Sequence, residues 1–555
     1  MSEADIAIRR GIQGGPTSGP TQSSAVVAGV RETGSDVGAE PAAAGGAHLG
    51  QLALWMRWLC SFPAMLGALL LGATFAVVRA FSVDPDMWWH IRTGELIVAT
   101  HRWPTTDPYS YTSAGAPWMS CEWLGDVFFA AVYRLGGLRG LEVLLAVLAS
   151  AVMLALYGFA TLRSGSCKAA FLVSAVLLAL ATASFNLRPQ MLGYLFLVLT
   201  LIALELFRQG KQRAVWLLPI LFLVWVNSHG SWIVGLATVA LYFFAGLVSF
   251  QIGSLETRRW TNAERLRLEM VFLLSLVAIP ITPYGARLAG YPFTVAATLP
   301  ISVANILEWQ VMPFNLGGGK LFLALLLGFF LAQVVFRFSW HLAELLLFLF
   351  GAAMACLHVR FLLLFVPFFA PLAATMLARC MPAYNKHKDQ YLFNFALMAG
   401  IVIALVHYSP SQADMEKKVA AQFPVQALQY LRGHSVPGRL FNSYGFGGYM
   451  IEAGYKTFID GRSELFEQTG VLGDYMHMTL LKPGALQVLR GYGIQSCLVE
   501  RDEPFATLLA SSPDWNKVYS DQVSALYVKR NASNAATPAL VLVESRPQVM
   551  SLDAR

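Results

Sequence analysis

The sequence predicts an α-helical, polytopic membrane protein that ends in a small α/β domain. Three observations predict it. Of 555 residues, 56% are hydrophobic and only 13% charged, whereas soluble domains carry about a quarter charged residues. Apolar runs near the ~17–25 residues that cross a bilayer as helices recur between positions 62 and 408. After position 409 the composition returns to that of a soluble chain.

The elements follow in order. Residues 1–58 include "GGPTSGPTQSSAVVAG" and "AEPAAAGGAHLG". These segments hold too few large apolar side chains to offset the entropy of ordering, which predicts a disordered tail. Residues 59–408 form the transmembrane domain. About eleven helices are expected, at 62–82, 140–162, 169–185, 189–207, 214–228, 231–250, 269–283, 320–337, 340–356, 359–378 and 391–408. One set of connections is basic, with Arg163 and Lys168, then Arg208, Lys211 and Arg213, then Arg258, Arg259, Arg265 and Arg267. The positive-inside rule puts these connections and the N-terminal tail in the cytoplasm. The first loop 83–139, the loop 284–319 and everything after 409 then face the exterior of a plasma (bacterial inner) membrane. The net charge of +7 lies in short clusters between apolar runs, which argues against nucleic acid as a partner. The six cysteines are scattered singly, with no zinc or disulfide spacing.

In the exterior domain, 409–530, "FPVQALQYLRGH" predicts an amphipathic helix. "GRLFNS", "TFIDG", "IQSCLVER" and "VSALYVKR" predict strands, with helices over "GALQVLRGYG" and "PFATLLASSP". Strands alternating with helices make an α/β domain, and residues 531–555 a flexible tail.

The first loop carries the chemistry. It opens "DPDMWWHIRTGE", with Asp84 suited to cap a helix and Pro85 to its first turn. Asp86 and His90, four apart, share a helix face. The loop adds Arg92, Asp107 and Glu122 among tryptophans and tyrosines. Carboxylates held against aromatics beside a bilayer are candidates for raised pKa values and general-base work.

"DPDMWWHIRTGELI", "TDPYSYT", "PWMSCEWLGD", "FNLRPQ", "NSHGSWIVG" and "FNSYGFGGYMIE" with "TFIDGRS" together resemble the GT-C superfamily of polytopic membrane glycosyltransferases, in a bacterial subgroup. The resemblance spans about residues 60–530. It implies transfer of a sugar from a polyprenyl-phosphate-linked donor, on the exterior face and with inversion, to a glycan, lipid or protein acceptor. It also implies that a first-loop acid is base or metal ligand, which here means Asp86 with Asp84 as its partner. A divalent metal, magnesium or manganese, held by these two aspartates would offset charge on a phosphate leaving group; arginine forks would do the same. The C-terminal stretch is similar in layout to the WWDYG region of oligosaccharyltransferase catalytic subunits. The tryptophan pair and the aspartate of that motif are absent from Ser443, Tyr444, Gly445, Phe446 and Gly447, so recognition of an Asn-x-Ser/Thr acceptor is not carried over.

Arg188 and Arg360 are each the lone cation in a tight exterior connection, where binding a lipid phosphate and snorkelling to headgroups are equally expected. His229 also lies at an exterior helix end, and Glu308 lies in a loop long enough to cover a groove. Tyr444, Asp460 and Arg462 complete the substrate-binding candidates, against the alternative of a turn that satisfies its own backbone. Two other functions stay open: a lipid-linked sugar transporter, and a catalytically inactive assembly partner.

Overall fold

The computed structural model describes residues 56–79 and 83–530, the side chains of 295–298 excepted. The tail expectations for 1–55 and 531–555 lie outside the described residues. The chain is a polytopic helical membrane protein. Among the described residues, five helices are long and apolar enough to cross a membrane: Trp123–Ser164, Cys167–Ser184, Gln190–Arg208, Gly317–Phe336 and Val359–Ala378. A pair bent by 57°, Tyr391–His407 with Gln412–Ala420, would make a sixth. Four shorter apolar helices, Phe62–Val78, Ala214–Ser228, Trp232–Ala245 and Leu342–Leu357, pack among them.

All eleven expected segments are therefore helical, but two differ in kind. The segment expected at 269–283 is Asn262–Ala278, opened by a capping box between Thr261 and Glu264. It carries Arg265, Arg267 and Glu269 and does not meet the length and hydropathy of a span. The segment expected at 140–162 begins at Trp123 and runs for 42 residues through a break at Gly137 (φ 57°, ψ −148°). A conformation that L side chains avoid lets this glycine turn the chain between two helical stretches.

The apolar helices bury Leu141, Val152, Leu156, Leu197, Leu201, Phe365 and Phe369 in one continuous core. At one end, the basic connections are fastened by ion pairs. Arg163 donates to Glu344 at 2.5 Å, and Arg208 grips Glu205 through two bonds of 2.9 Å. A small sheet lies at this end: β1 (Phe250–Ile252) antiparallel to β2 (Leu255–Thr257), and β2 parallel to β3 (Trp340–His341). The first loop stands at the other end, where Met87–Thr100 forms a helix against Trp123–Ser164.

The C-terminal region is α/β. Its mixed sheet has the order β4 (Arg439–Asn442), β5 (Ile494–Glu500), β7 (Ser524–Lys529), β6 (Trp515–Ser520), with β4 parallel to β5 and the other pairs antiparallel. The strand expected at "TFIDG" does not join this sheet. Thr457 instead exchanges backbone hydrogen bonds with the first loop, donating to Tyr109 O at 3.2 Å and accepting from Tyr111 at 3.1 Å.

That junction is built around one arginine. Arg462 is fully buried and donates to both oxygens of Asp460 and to Asp107 of the first loop, each at 2.7 Å. Its guanidinium lies 5.0 Å and 4.7 Å from the ring centroids of Tyr109 and Trp118. Asp107 also accepts from the backbone N–H groups of Tyr109 (2.9 Å) and Ser110 (3.1 Å). Removing the guanidinium would leave two carboxylates buried without their cation. Arg462→Met is therefore expected to cost about 3–5 kcal/mol of stability, read as a lowered melting temperature of the purified full-length chain. Arg462→Lys should recover only part of it, because an ammonium cannot make the fork. An unchanged melting temperature for Arg462→Met would contradict the assignment.

Candidate active site

The chain leaves Phe62–Val78 and reaches "DPD" at the start of the first-loop helix. Asp84 accepts from the backbone N–H of Asp86 at 2.8 Å, which closes the turn, and its other oxygen accepts from Arg188 Nε at 2.8 Å. Arg188 also reaches Asp86 at 3.1 Å and Glu308 at 3.5 Å. Three segments far apart in sequence thus meet on one guanidinium. Pro189, directly after Arg188, opens the helix Gln190–Arg208 and fixes the point from which the arginine reaches.

Three carboxylates around one cation leave this corner short of positive charge. Burial chiefly, and Asp84 in addition, push the Asp86 carboxyl up to about 6 against the pull of Arg188. Asp86 keeps 15% side-chain exposure, so it is held in place yet reachable. The C-terminal region closes on it. A Cβ on Gly461 would run into the Asp86 carboxylate, and one on Gly448 into the Pro85 carbonyl. Both glycines serve close approach here. Tyr444 donates to the Gly461 carbonyl at 3.2 Å, beside the same aspartate.

A second line of groups stands on the same face of the first-loop helix. His90 directs Nδ1 at Asp126, 2.6 Å away, and Ser120 donates to the other Asp126 oxygen at 2.5 Å. That leaves His90 Nε2 facing Glu122 at 3.6 Å. Burial opposes a charge on His90, but Asp126, Glu122 and Asp86 outweigh it and raise its pKa. Glu122 meets His229 on its other side, with Oε1 3.2 Å from Nε2. The backbone N–H of Ser231 donates to His229 Nδ1 at 3.1 Å, so the proton of the neutral ring belongs on Nε2, where it donates to Glu122. Burial, with Arg360 and His90, drives the His229 pKa down to about 3, while burial pushes Glu122 up to about 7. Arg360 lies 4.0 Å from the Trp309 ring centroid, a cation–π contact next to Glu122 and His229.

Of the residues singled out from sequence, Asp84, Asp86, His90, Glu122, Arg188, His229, Glu308, Arg360 and Tyr444 come together here. Three others do not: Asp107, Asp460 and Arg462 are consumed by the buried ion cluster of the domain junction. Arg92, two residues past His90, pairs with Glu95 at 3.0 Å and lines a different cavity. Sequence reading counts Asp126 among the first-loop carboxylates suited to general-base work without a separate role, and gives none to Gly461 or Trp309. Asp126 had a readable signal, four residues past Glu122 at a helix start; the other two are set by contacts between distant segments.

The fit of a divalent metal can be judged from the donors. Arg188 stands between Asp84 and Asp86 and engages both, and among the described residues no three His, Cys, Asp or Glu side chains come together to hold a metal ion. The Asp-x-Asp pair in this arrangement is organised around an arginine and does not fit a metal.

No model of a known protein family matches the sequence, and no curated protein matches it. By fold the chain is similar to the Archaeoglobus fulgidus oligosaccharyltransferase tethered with an acceptor peptide containing the NVT sequon. The two share 12% identity over 78% of this chain and 68% of that one, at a TM-score of 0.48. It is similar also to ArnT from Cupriavidus metallidurans bound to undecaprenyl phosphate, at 13% identity over 88% of this chain and 98% of that one, with a TM-score of 0.44. The similarity is one of helical layout at low identity, and the chemistry of the site is carried by this chain's own side chains.

Proposed function

We propose that the chain is an inverting glycosyltransferase that moves a sugar from a polyprenyl-phosphate-linked donor to an acceptor hydroxyl on the exterior face of the membrane. The observation that carries this reading is the meeting of a raised-pKa carboxylate, Asp86, with two arginines and a histidine–carboxylate chain at the ends of apolar helices. A lipid-anchored phosphate would be presented at the ends of such helices.

In this reading Asp86 is the base. An acceptor hydroxyl is a poor nucleophile near neutral pH, and a carboxylate titrating near 6 is ionised there while more basic than a free aspartate. The acceptor oxygen forms the new bond to the anomeric carbon as Asp86 takes its proton. The bond from that carbon to the phosphate oxygen breaks, and the phosphate leaves with the electron pair. Arg360 is the cation suited to receive it: its guanidinium rests on Trp309 beside a histidine held neutral, whereas Arg188 is saturated by three carboxylates. Arg188 positions Asp84 and Asp86. The basic connections at the opposite end support the orientation by the positive-inside rule.

Mass spectrometry of envelope lipids, polysaccharide and exterior proteins tests the reading. A deletion strain should lose one glycan mass, which returns with the wild-type chain and stays missing with equally abundant Asp86→Asn protein. Full restoration by Asp86→Asn would sink it and favour a helix-capping role. The pH profile of kcat/KM separates the two candidate bases. Activity should fall as pH drops through an apparent pKa near 6, because protonated Asp86 cannot accept a proton. A single limb near 7, abolished by Glu122→Gln, would assign the base to Glu122 instead.

A further inference from the structure

Behind the first-loop helix, away from Asp86 and His90, lies a second cavity of about 970 Å³. Trp88 and Arg92 line it from that helix, Gly137 from the break in Trp123–Ser164, and Lys417, Arg432 and Tyr449 from the chain beyond the last apolar helix. Its size falls within the range of small-molecule sites.

Its position relative to the membrane is fixed by its walls. Helix Gln412–Ala420 follows Tyr391–His407 at a bend of 57°, so it turns away from the direction of that apolar helix where the helix ends. Lys418 donates to the carbonyl of Arg79 at 2.8 Å, at the end of Phe62–Val78. The backbone N–H of Arg139, just past the break, donates to Gln412 at 3.3 Å. Two apolar helices therefore end, and a third breaks, around the cavity, as expected of a place where lipid headgroups begin.

Its charge is the second observation. Arg92, Lys417 and Arg432 line it together with Glu416 and Glu452; Arg92 is paired with Glu95, so Lys417 and Arg432 are the cations it offers, and Lys418, Arg79 and Arg139 act on Glu142 nearby. Lys417 and Arg432 are exposed, the condition for meeting a ligand from the membrane surface. Arginine and lysine around an aromatic wall suit a phosphate diester.

We infer that this cavity binds the headgroup of an anionic phospholipid, as a site separate from the one proposed for the sugar donor. The lipid phosphate lies against Lys417 and Arg432, with its acyl chains in the bilayer alongside the ends of Phe62–Val78 and Tyr391–His407. The inference rests on the membrane-spanning fold and not on the proposed transfer reaction.

The test titrates the purified full-length chain in neutral detergent with short-chain phosphatidylglycerol, short-chain phosphatidylcholine and inorganic phosphate, following the unfolding midpoint and bound lipid by native mass spectrometry. Phosphatidylglycerol should raise the midpoint saturably, and Lys417→Glu with Arg432→Glu should weaken its binding about tenfold or more. Equal binding of phosphatidylcholine would overturn the anionic assignment. Inorganic phosphate acting at the same concentration would overturn the lipid as its source, and undiminished binding by the double variant would overturn the site. If the double variant does not fold, Lys417→Gln and Arg432→Gln taken singly must each weaken phosphatidylglycerol binding, or the proposal fails.

Discussion

Arg188 is the constraint on which the acidic face depends. One guanidinium holds Asp84 and Asp86 at the start of the first-loop helix and Glu308 from a loop more than 200 residues later in the chain. A guanidinium stays charged at any working pH and presents its donors as a rigid fork, so it fixes direction as well as distance. The carboxylates it gathers outnumber it, and the surplus negative charge sits in a partly desolvated corner. Burial first, and then the neighbouring Asp84, raise the Asp86 pKa against the pull of Arg188.

The same residue types do different work next to Gly461, at the domain junction. Asp107, Asp460 and Arg462 are matched more evenly, with one guanidinium that makes three bonds to two carboxylates and has no exposure. This cluster locks the C-terminal region to the first loop, and it thereby delivers Gly461 and Tyr444 to the Asp86 carboxylate. Burial separates the two roles. The cluster that solvent cannot reach holds segments together, while Asp86, Glu122 and Arg188 keep a share of their surface open.

Much of the scaffold was legible because a bilayer demands long apolar helices, and such runs are hard to mistake. The break at Gly137 was not, because a glycine between two helical patterns reads as a loop end as easily as a bend within one helix. "TFIDG" has the composition of a strand, and only its pairing with Tyr109 and Tyr111 shows that it bonds outside the sheet. Asp86 and His90 were legible as neighbours because four-residue spacing on a helix fixes a shared face. Asp107 and Arg462 looked equally reactive in sequence. Their burial in an ion cluster depends on contacts 355 residues apart, for which no local pattern exists. The cavity beside Arg92 was invisible for the same reason, since its walls come from four separate stretches.

The central claim is that Asp86 acts on an acceptor while Arg360 receives a lipid phosphate. Binding of a polyprenyl phosphate to the purified full-length chain, compared among wild type, Arg360→Gln and Asp86→Asn, tests it most directly. A charged hydrogen bond contributes about 1.5–3 kcal/mol, so Arg360→Gln should weaken binding roughly ten- to a hundredfold. Asp86→Asn, which removes a negative charge facing the phosphate, should bind as tightly as wild type or more so. Unchanged affinity for Arg360→Gln, or loss of binding with Asp86→Asn, would contradict the account.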